Sequence, residues 1–289
     1  MIGMKQAEIS KRTILITGCS SGIGYCVAHG LKRRGYPVIA SARKPDDVMR
    51  LAGEGLECLR IDLDNPDSID QAVRDLENRT GRRIYGLFNN AGFGQPGAVE
   101  DLRRDVLRAQ FETNVFGTLE LTNRLLPWMR EAGEGRIIQN SSLLGFVSLA
   151  YRGAYNASKY ALEGLYDTLR LELAGTGVHA ILIEPGPITS RFRANALAAY
   201  QRNIDVETSV HRETYRALEA RLTRQGPVAP FTLPPEAVLE KVIKALEKPV
   251  PRPRYCVTFP SYLFAALKRC LSARALDRVL LGVSRREGK

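Results

Sequence analysis

A tyrosine and a lysine stand four residues apart in the stretch YNASK, residues 155–159. Residues i and i+4 share one face of a helix, so Tyr155 and Lys159 are expected to point the same way. A free tyrosine has a pKa of about 10 and is a poor base at neutral pH. A lysine cation about 5 Å away contributes roughly 3 kcal/mol at an effective dielectric constant of about 20, which lowers that pKa by about two units. The pair is either an acid/base centre or an ordinary polar pair on a helix, and its surroundings decide between the two.

Two further polar residues precede this pair. Ser142 follows a predicted strand, where its hydroxyl can hydrogen-bond a substrate oxygen. Asn114 lies in the helical pattern FETNVFG, and a buried asparagine there needs partners for its amide. Each residue alone is more simply structural. Together with the glycine loop described next, they favour a catalytic set of Asn114, Ser142, Tyr155 and Lys159.

A glycine-rich turn, TGCSSGIG (17–24), joins the first predicted strand to the first long helix. Gly18, Gly22 and Gly24 let the chain turn sharply and let the backbone approach a pyrophosphate closely. The helix N-terminus that follows offers unpaired N–H groups to the anion. This strand-turn-helix context predicts a dinucleotide site rather than a purely structural turn.

The residues after the second predicted strand indicate which dinucleotide. NAD-binding folds of this kind carry an acidic residue here that bonds the ribose 2′-hydroxyl. In SARK (41–44) the position is taken by Ala42, and Arg43 and Lys44 follow. A guanidinium binds a 2′-phosphate in a bidentate manner, so the pattern predicts NADP(H), with exposed loop charges as the alternative.

The remaining pattern predicts an α/β fold, a Rossmann-type doubly wound parallel sheet in a single domain with a C-terminal helical extension. Short apolar runs alternate with long amphipathic stretches, which is typical of a parallel sheet covered on both faces. The predicted strands are 13–18, 37–42, 56–62, 84–90, 135–142, 177–186 and 254–259, and the predicted helices are 22–35, 66–79, 101–131, 153–174 and 235–248. Asp62 and Asn90 then fall at carboxyl ends of strands, where such sheets bind ligands, Asp62 beside the adenine and Asn90 beside the cofactor.

With these motifs in order, the chain resembles the short-chain dehydrogenase/reductase family over roughly residues 12–260. The resemblance rests on TGCSSGIG, NNAG (89–92), Asn114, Ser142, YNASK and EPGPITS (184–190). It implies that Tyr155 is the general acid/base and that Lys159 holds the ribose and lowers the tyrosine pKa. It also implies that Ser142 orients the carbonyl and that Asn114 supports a water in a proton relay to Lys159.

The resemblance also assigns the cofactor site. Thr189 would bond the nicotinamide carboxamide. The complete set of predicted cofactor-binding residues is Gly18, Ser20, Ser21, Gly22, Ile23, Gly24, Arg43, Lys44, Asp62, Leu63, Asn90, Ala91, Gly92, Tyr155, Lys159, Pro185, Gly186, Ile188 and Thr189. Dimers or tetramers of the chain are also expected from the resemblance.

Within the family the chain is more similar to the 17β-hydroxysteroid and retinol dehydrogenase branch, which suggests a small lipophilic carbonyl or alcohol as substrate. Phe93, Leu143, Leu144 and Phe146 are candidates for an apolar pocket, with core packing as the alternative. Residues 188–232 are expected to form a substrate lid within a dinucleotide-binding domain of residues 1–260. Residues 261–289 are expected to form the helical extension.

The extension is basic. Residues 251–289 hold nine Lys or Arg and two Asp or Glu, so most of the net charge of +11 lies there. Leu263, Phe264, Leu267 and Leu271 recur at helical spacing, and Gly282 is expected to cap a last helix. The alternatives are a helix docked on the protein and peripheral contact with an anionic membrane.

Composition excludes several functions. The 289 residues are 44% hydrophobic and 25% charged, which is typical of a soluble globular protein. Five scattered cysteines favour reduced thiols, and three scattered histidines give no metal site, so a cytoplasmic location without metal is expected. No signal peptide, membrane-spanning segment or nucleic-acid module is recognisable.

Two rival functions remain. A regulator that senses NADP(H) and has lost the chemistry should lack the tyrosine or the lysine, and this chain has both. A sugar-nucleotide epimerase also uses Tyr-x-x-x-Lys, but it would have a different glycine spacing and a larger C-terminal domain. The sequence therefore predicts an NADP(H)-dependent oxidoreductase of carbonyls and alcohols, with the regulator as the alternative.

Overall fold

A seven-stranded, fully parallel sheet forms the centre of the computed structural model, which describes residues 6–224, 226 and 229–287. The strand order is β3-β2-β1-β4-β5-β6-β7, so the chain winds outward in both directions from β1. The strands are β1 (Ile14–Ile16), β2 (Val38–Ala42), β3 (Glu57–Arg60), β4 (Gly86–Asn89), β5 (Gly135–Asn140), β6 (Val178–Glu184) and β7 (Arg254–Cys256). This topology confirms the predicted doubly wound fold.

Helices cover both faces of the sheet. They are α1 (Gln6–Ile9), α2 (Gly22–Arg33), α3 (Pro45–Gly53), α4 (Pro66–Thr80), α5 (Arg104–Phe111), α6 (Gly117–Ala132), α7 (Gly153–Glu172), α8 (Phe192–Asn203), α9 (Arg212–Thr223), α10 (Glu236–Glu247), α11 (Phe259–Cys270) and α12 (Ala273–Glu287). Short 3₁₀ turns span Val99–Asp101 and Leu143–Gly145. All seven strands and the helices α2, α4, α7 and α10 were predicted, with ends displaced by a few residues.

The core has two layers because side chains alternate across the pleat. Ile14 and Ile16 of β1 point to the face that α2 and α10 cover, whereas Leu15 points to the face that α4, α6 and α7 cover. All three side chains are buried. The sheet is therefore buried on both sides, as continuous apolar runs in parallel strands predict.

The predicted helix 101–131 is wrong as one element. The structure has α5, then a π-helical segment Glu112–Phe116, then α6. A Cβ on Gly117 would overlap the carbonyl oxygen of Leu63, so the two backbones approach too closely for any side chain. Helix α3 was missed altogether because it is only nine residues long, too short for a periodic pattern to stand out.

The lid region contains two helices, α8 and α9, in its described part. Tyr200 and Tyr215 bury their rings with Ala98 in a small apolar cluster of its own. The lid returns to the main fold where Thr189 N–H donates to the Leu233 carbonyl at 2.9 Å. The lid is thus anchored beside the end of β6, although its predicted limits, 188–232, stay a prediction.

The C-terminal helices dock on the protein. Phe264 and Leu280 are buried against Leu143 and Val147, in the segment that follows β5. The predicted cap at Gly282 is wrong, because α12 continues through it to Glu287. Helix α11 begins two residues before the predicted boundary at residue 261, and that boundary stays a prediction.

No helix in the described part of the chain is long and apolar enough to cross a membrane.

Candidate active site

The predicted site residues gather at one edge of the sheet. Parallel strands point the same way, so the segments after β1, β4, β5 and β6 all emerge at the carboxyl edge. These segments carry the glycine loop, Asn90, Ser142 and Pro185. Helix α7 follows β5 and presents Tyr155 and Lys159 next to the same edge. The fold therefore brings the catalytic and cofactor motifs together.

The glycine loop has the conformation that its sequence predicts. Gly18 and Gly22 have φ angles of +72° and +60°, in the left-handed region that favours glycine. A Cβ on Gly24 would overlap the carbonyl oxygen of Gly18. Helix α2 begins at Gly22, so its unpaired N–H groups face the loop. The turn leaves a side-chain-free path to a helix N-terminus, as an anion site requires.

Asn90 braces the loop. Its Nδ2 donates to the carbonyl oxygens of Thr17 at 3.0 Å and Gly18 at 3.1 Å, and its Oδ1 accepts from Asn140 Nδ2 at 3.0 Å. The side chain therefore ties the ends of β1, β4 and β5 together. Its predicted position at the end of β4 is observed, and its side-chain atoms are engaged with protein.

The other predicted cofactor residues lie in the same loops. Arg43 is exposed, with one guanidinium nitrogen 3.8 Å from Asp64, and Lys44 directly precedes α3. The Leu143 N–H donates to the Pro185 carbonyl at 2.7 Å, which joins the ends of β5 and β6. Ser20, Ser21 and Ile23 lie in the glycine loop or the start of α2, Asp62 and Leu63 follow β3, Ala91 and Gly92 follow β4, and Gly186, Ile188 and Thr189 follow β6.

Arg50 in α3 is a neighbour of the loop that the sequence did not reveal. It donates to the carbonyl oxygen of Ser20 at 2.8 Å and to Glu54 at 2.7 Å. The contact joins α3 to the glycine loop. Because α3 itself was not predicted, no sequence signal placed Arg50 there.

Ser142, Tyr155 and Lys159 form one connected group. Ser142 caps the turn after β5, where its Oγ accepts from the Leu144 N–H at 3.0 Å. A hydrogen bond with Ser142 also lowers the pKa of Tyr155. Lys159 Nζ lies 5.7 Å from the centre of the Tyr155 ring and donates to the Asn140 carbonyl at 2.7 Å. The serine, tyrosine and lysine thus meet as predicted.

Asn114 lies in the π-helical segment, and its amide is fully engaged. Its Nδ2 donates to the Phe93 carbonyl at 3.0 Å and to Ser158 Oγ at 3.1 Å. Its Oδ1 accepts from the Phe93 N–H at 3.1 Å. The side chain therefore links the loop after β4 to α7, and the water relay expected of Asn114 stays a prediction.

Burial dominates the proton affinities of this group. It raises the pKa of Tyr155 to about 12, more than the hydrogen bond with Ser142 and the charge of Arg152 lower it. Burial also lowers the pKa of Lys159 to about 8, against the opposing charge of Glu163. The lowered tyrosine pKa expected from the sequence is wrong for the protein alone, because desolvation outweighs the hydrogen bond with Ser142 and the charge of Arg152.

Phe192, the first residue of α8, is part of the site and was missed. Its ring meets the Tyr155 ring edge-on with centroids 5.2 Å apart. Gly94 leaves room for it, since a Cβ there would lie 2.8 Å from the Phe192 ring. The lid therefore contacts the tyrosine directly. An aromatic residue two positions after Ser190 was the available signal, but the lid pattern was too irregular to place it.

The residues expected to line an apolar pocket lie in two different environments. Leu143, Leu144 and Phe146 pack in one apolar cluster with residues of α11 and α12, so core packing accounts for them. Phe93 contributes backbone atoms to the Asn114 contacts. Among the described residues, no group of three or more His, Cys, Asp or Glu side chains could hold a metal ion.

These residues fit a dinucleotide. The loop from Gly18 to Gly24 has no room for side chains and ends on a helix N-terminus, as a pyrophosphate requires. Exposed Arg43 and Lys44 lie after β2, where the adenosine ribose is bound in folds of this kind. A cofactor bound along this edge would end beside Tyr155 and Lys159.

Comparison with known proteins gives the same family. The model of the short chain dehydrogenase family matches residues 12–201. The chain is 44% identical over 275 residues to the uncharacterized oxidoreductase YbbO of Escherichia coli (strain K12), covering 95% of this chain and 96% of that one.

Two relatives with named activities are similar over most of their length. The NADPH-dependent 3-dehydrocapnine reductase of Ornithobacterium rhinotracheale is 31% identical, covering 93% of this chain and 95% of that one. The 17-beta-hydroxysteroid dehydrogenase type 1 of Homo sapiens is 33% identical, covering 86% and 78%.

Proposed function

This chain belongs to the short-chain dehydrogenase family and is an oxidoreductase of that family, and we propose that it interconverts a lipophilic carbonyl compound and its alcohol with NADP(H). The observation that carries the proposal is the contact of Ser142 and Lys159 with one tyrosine at the carboxyl edge of the sheet. A regulator without chemistry has no use for such a group.

The chain's own residues would move the proton. NADPH, when bound, supplies the hydride for the carbonyl carbon. Tyr155 donates its phenolic proton to the carbonyl oxygen, and Ser142 holds that oxygen by a hydrogen bond. Lys159 supplies the positive charge that favours the phenolate left behind. In the oxidative direction the same tyrosine accepts the alcohol proton.

The high pKa of Tyr155 keeps its phenol protonated at neutral pH but also makes it a weak acid. Removal of the proton needs added positive charge near the ring. Lys159 carries such a charge below its pKa of about 8.

Activity can be tested with the wild-type protein. NADPH oxidation, followed at equal enzyme concentration with aldehydes, ketones, retinoids and steroids, should show turnover with at least one lipophilic carbonyl. NADPH binding without turnover on any of them would favour the alternative, an NADP(H)-sensing regulator.

We expect Arg43→Asp to reverse the cofactor preference. The wild type should favour NADPH over NADH, because the exposed guanidinium of Arg43, held only by a long ion pair with Asp64 at 3.8 Å, can pair with a 2′-phosphate that an aspartate would repel. One charge-assisted contact is worth about 1.5–3 kcal/mol, so the NADPH Kd should rise about tenfold or more. The measurement is fluorescence titration with both cofactors.

Arg83→Asp is the matched control for this variant. Arg83 is exposed and precedes β4, so it lies at the opposite edge of the sheet, and it undergoes the same change of charge. It should leave both Kd values unchanged. Equal affinity of the wild type for NADPH and NADH would contradict the assignment.

We further propose a homo-oligomer, a dimer or a tetramer, in the cytoplasm. Exposed apolar side chains on α5, the π-helical segment and α7 could form the interface. They are Leu107, Phe116, Tyr160 and Leu171.

Peripheral contact with an anionic membrane is proposed for the C-terminal extension, through a patch that shares only Leu263 with the expected apolar set. Phe264 and Leu267 pack on the protein. The part of α11 next to these contacts exposes Phe259, Tyr262 and Leu263, with 56%, 52% and 39% of their surface accessible. The apolar surface of α11 is therefore wider than the part that packs on the protein, and a second apolar partner would cover the rest.

The surroundings favour lipid as the second partner. The Phe259 ring contacts that of exposed Phe231, with centroids 4.9 Å apart, so the patch continues to the end of the lid. Lys241 Nζ lies 3.4 Å from the Tyr262 hydroxyl, and Arg269 follows about two turns later on the same helix. Two copies meeting through this face would bring like charges together, whereas anionic headgroups would be attracted.

We expect the double variant Phe259→Glu, Leu263→Glu to lose vesicle binding. The wild type should sediment with vesicles that contain phosphatidylserine and less with pure phosphatidylcholine. Loss of two apolar contacts should weaken binding about tenfold or more. Val210→Glu, at another exposed apolar residue, is the control. Equal sedimentation of the double variant, or its conversion from dimer to monomer, would count against lipid.

A further inference from the structure

A buried cluster of charges lies behind the catalytic residues. Glu163 is one helical turn after Lys159 on α7, and only 7% of its surface is accessible. The guanidinium of Arg254 in β7 donates to Glu163, to Glu184 at 2.6 Å and to Asp167 at 2.5 Å. One guanidinium therefore serves three carboxylates, two of them buried.

Glu163 also reaches the strand that carries the catalytic serine. Ser141, the residue before Ser142, donates its hydroxyl proton to the other carboxylate oxygen of Glu163. Gly145 makes room for this contact, since a Cβ there would lie 2.8 Å from Ser141 Oγ and 2.9 Å from Glu163 Cγ. Glu163 thus joins the end of β5 to α7.

Glu184 extends the cluster to the cofactor side. It is the last residue of β6 and directly precedes Pro185 and Gly186. Its second oxygen accepts from the Cys256 thiol at 3.3 Å. Through Arg254, Glu163 is therefore connected to the segment expected to lie beside the nicotinamide.

Lys159 depends electrostatically on this cluster. Among the described residues, no carboxylate lies within ion-pair distance of Lys159 Nζ, which bonds the Asn140 carbonyl instead. Burial lowers the pKa of Lys159 to about 8, and Glu163 is the charge that opposes this shift. The catalytic cation therefore keeps its proton with the help of a carboxylate that it does not touch.

The charge of Glu163 itself is sensitive to pH. Burial and the neighbouring Glu184 raise its pKa to about 7, although Ser141 and Arg254 act in the opposite direction. The groups that face Glu163 are Lys159 and Asp167 from its own helix, Ser141 after β5, Glu184 of β6, and Arg254 of β7, with the thiol of Cys256 beyond Glu184. Burial raises the pKa of Cys256 to about 12, so the thiol stays protonated near neutral pH.

We propose that Glu163 is a positioning residue of the active site, whose negative charge keeps Lys159 protonated and whose contact with Ser141 fixes the Ser142 backbone. The role rests on the proposed function of Tyr155 and Lys159. It acts through two other residues, and Glu163 touches neither substrate nor cofactor.

The test is Glu163→Gln, which keeps the shape and removes the charge. Without the anion, the pKa of Lys159 should fall by about one unit or more, because a nearby opposite charge typically changes a pKa by about 1–3 units in favour of the charged form. The titration can be followed without cofactor or turnover by NMR of ¹³C-labelled lysine, with the Lys159 signal assigned by its absence in Lys159→Met.

Turnover gives a second measurement. If protonated Lys159 is required, the pH at which kcat declines in alkaline solution should be lower in the variant by the same amount. At a pH above this decline, kcat of the variant should be about tenfold lower than that of the wild type. KM and the NADPH Kd should change much less.

Asp167→Asn is the matched control. Asp167 lies one turn after Glu163 and bonds the same guanidinium, but its side chain is 39% accessible and does not bond Ser141. It should leave the Lys159 titration and the kcat profile unchanged. Equal effects of the two variants would make the cluster merely structural, and an unchanged Lys159 titration in a folded Glu163→Gln protein would overturn the proposal. A wild type without turnover would instead contradict the proposed function, and the NMR result would stand.

Discussion

Tyr155→Phe is expected to abolish turnover while leaving the fold and NADPH binding nearly intact. The substitution removes only the hydroxyl that exchanges the proton, and general acid/base catalysis contributes about 10²–10⁴-fold to such rates. We therefore expect kcat to fall by about 10³-fold or more, with the NADPH Kd within about threefold of the wild type. The measurements are single-turnover kinetics and fluorescence titration.

Tyr160→Phe provides the matched control for that experiment. Tyr160 is on the same helix and is partly exposed, and its ring contacts Lys268 rather than the catalytic group. Loss of its hydroxyl should leave kcat within about twofold, as for surface substitutions generally. Normal turnover of Tyr155→Phe would contradict the mechanism, whereas equal losses in both variants would indicate damage to α7.

The local motifs were predictable because short-range rules determine them. Gly18 and Gly22 take a left-handed backbone conformation, and a side chain on Gly24 would be blocked. Four-residue spacing places Tyr155 and Lys159 on one face. Apolar runs identified all seven strands, and parallel strands bring their carboxyl ends to one edge. The expected position of the site, at that edge, then follows from the fold.

The proton affinities could not be predicted in the same way. The sequence shows that a lysine is near the tyrosine, but it does not show how deeply both are buried. Desolvation raises the pKa of Tyr155 and lowers that of Lys159, and it exceeds the effect of the opposite charge. Burial depends on Phe192 and the lid, which long-range packing places over the tyrosine.

The charged cluster around Arg254 could not be predicted either, because long-range contacts form it. Glu163 and Arg254 lie 91 residues apart in the chain and meet only because β7 pairs with β6 next to α7. In the sequence, Glu163 resembles any acidic residue on an amphipathic helix. Such a residue is usually solvated, so nothing in the pattern marked it as buried. Arg50 was also missed, because its helix, α3, was too short to predict.

Gly24→Ala is expected to abolish NADPH binding, and it tests the cofactor site independently of the catalytic residues. The added Cβ would overlap the carbonyl oxygen of Gly18 and approach Asn90 Nδ2, which braces the ends of β1 and β4. Because the Gly18 oxygen is a backbone atom, it cannot rotate away as the end of a flexible side chain can. The overlap is therefore relieved only if the loop opens or α2 shifts. Either movement takes the helix N-terminus away from the pyrophosphate.

The expected loss is about 10²-fold or more in NADPH affinity, equivalent to about 2.7 kcal/mol, as an ordered anion site loses its backbone donors. Gly164→Ala is the matched control, because Gly164 lies inside α7 with open space around its Cα. That change should leave binding intact and raise the free energy of unfolding by about 0.5–1 kcal/mol, since alanine favours a helix interior over glycine. Calorimetric titration with NADPH and thermal unfolding of both variants provide the measurements. If Gly24→Ala bound NADPH like the wild type, the pyrophosphate could not lie on this loop, and the cofactor assignment built on it would be wrong even if Tyr155 proved catalytic.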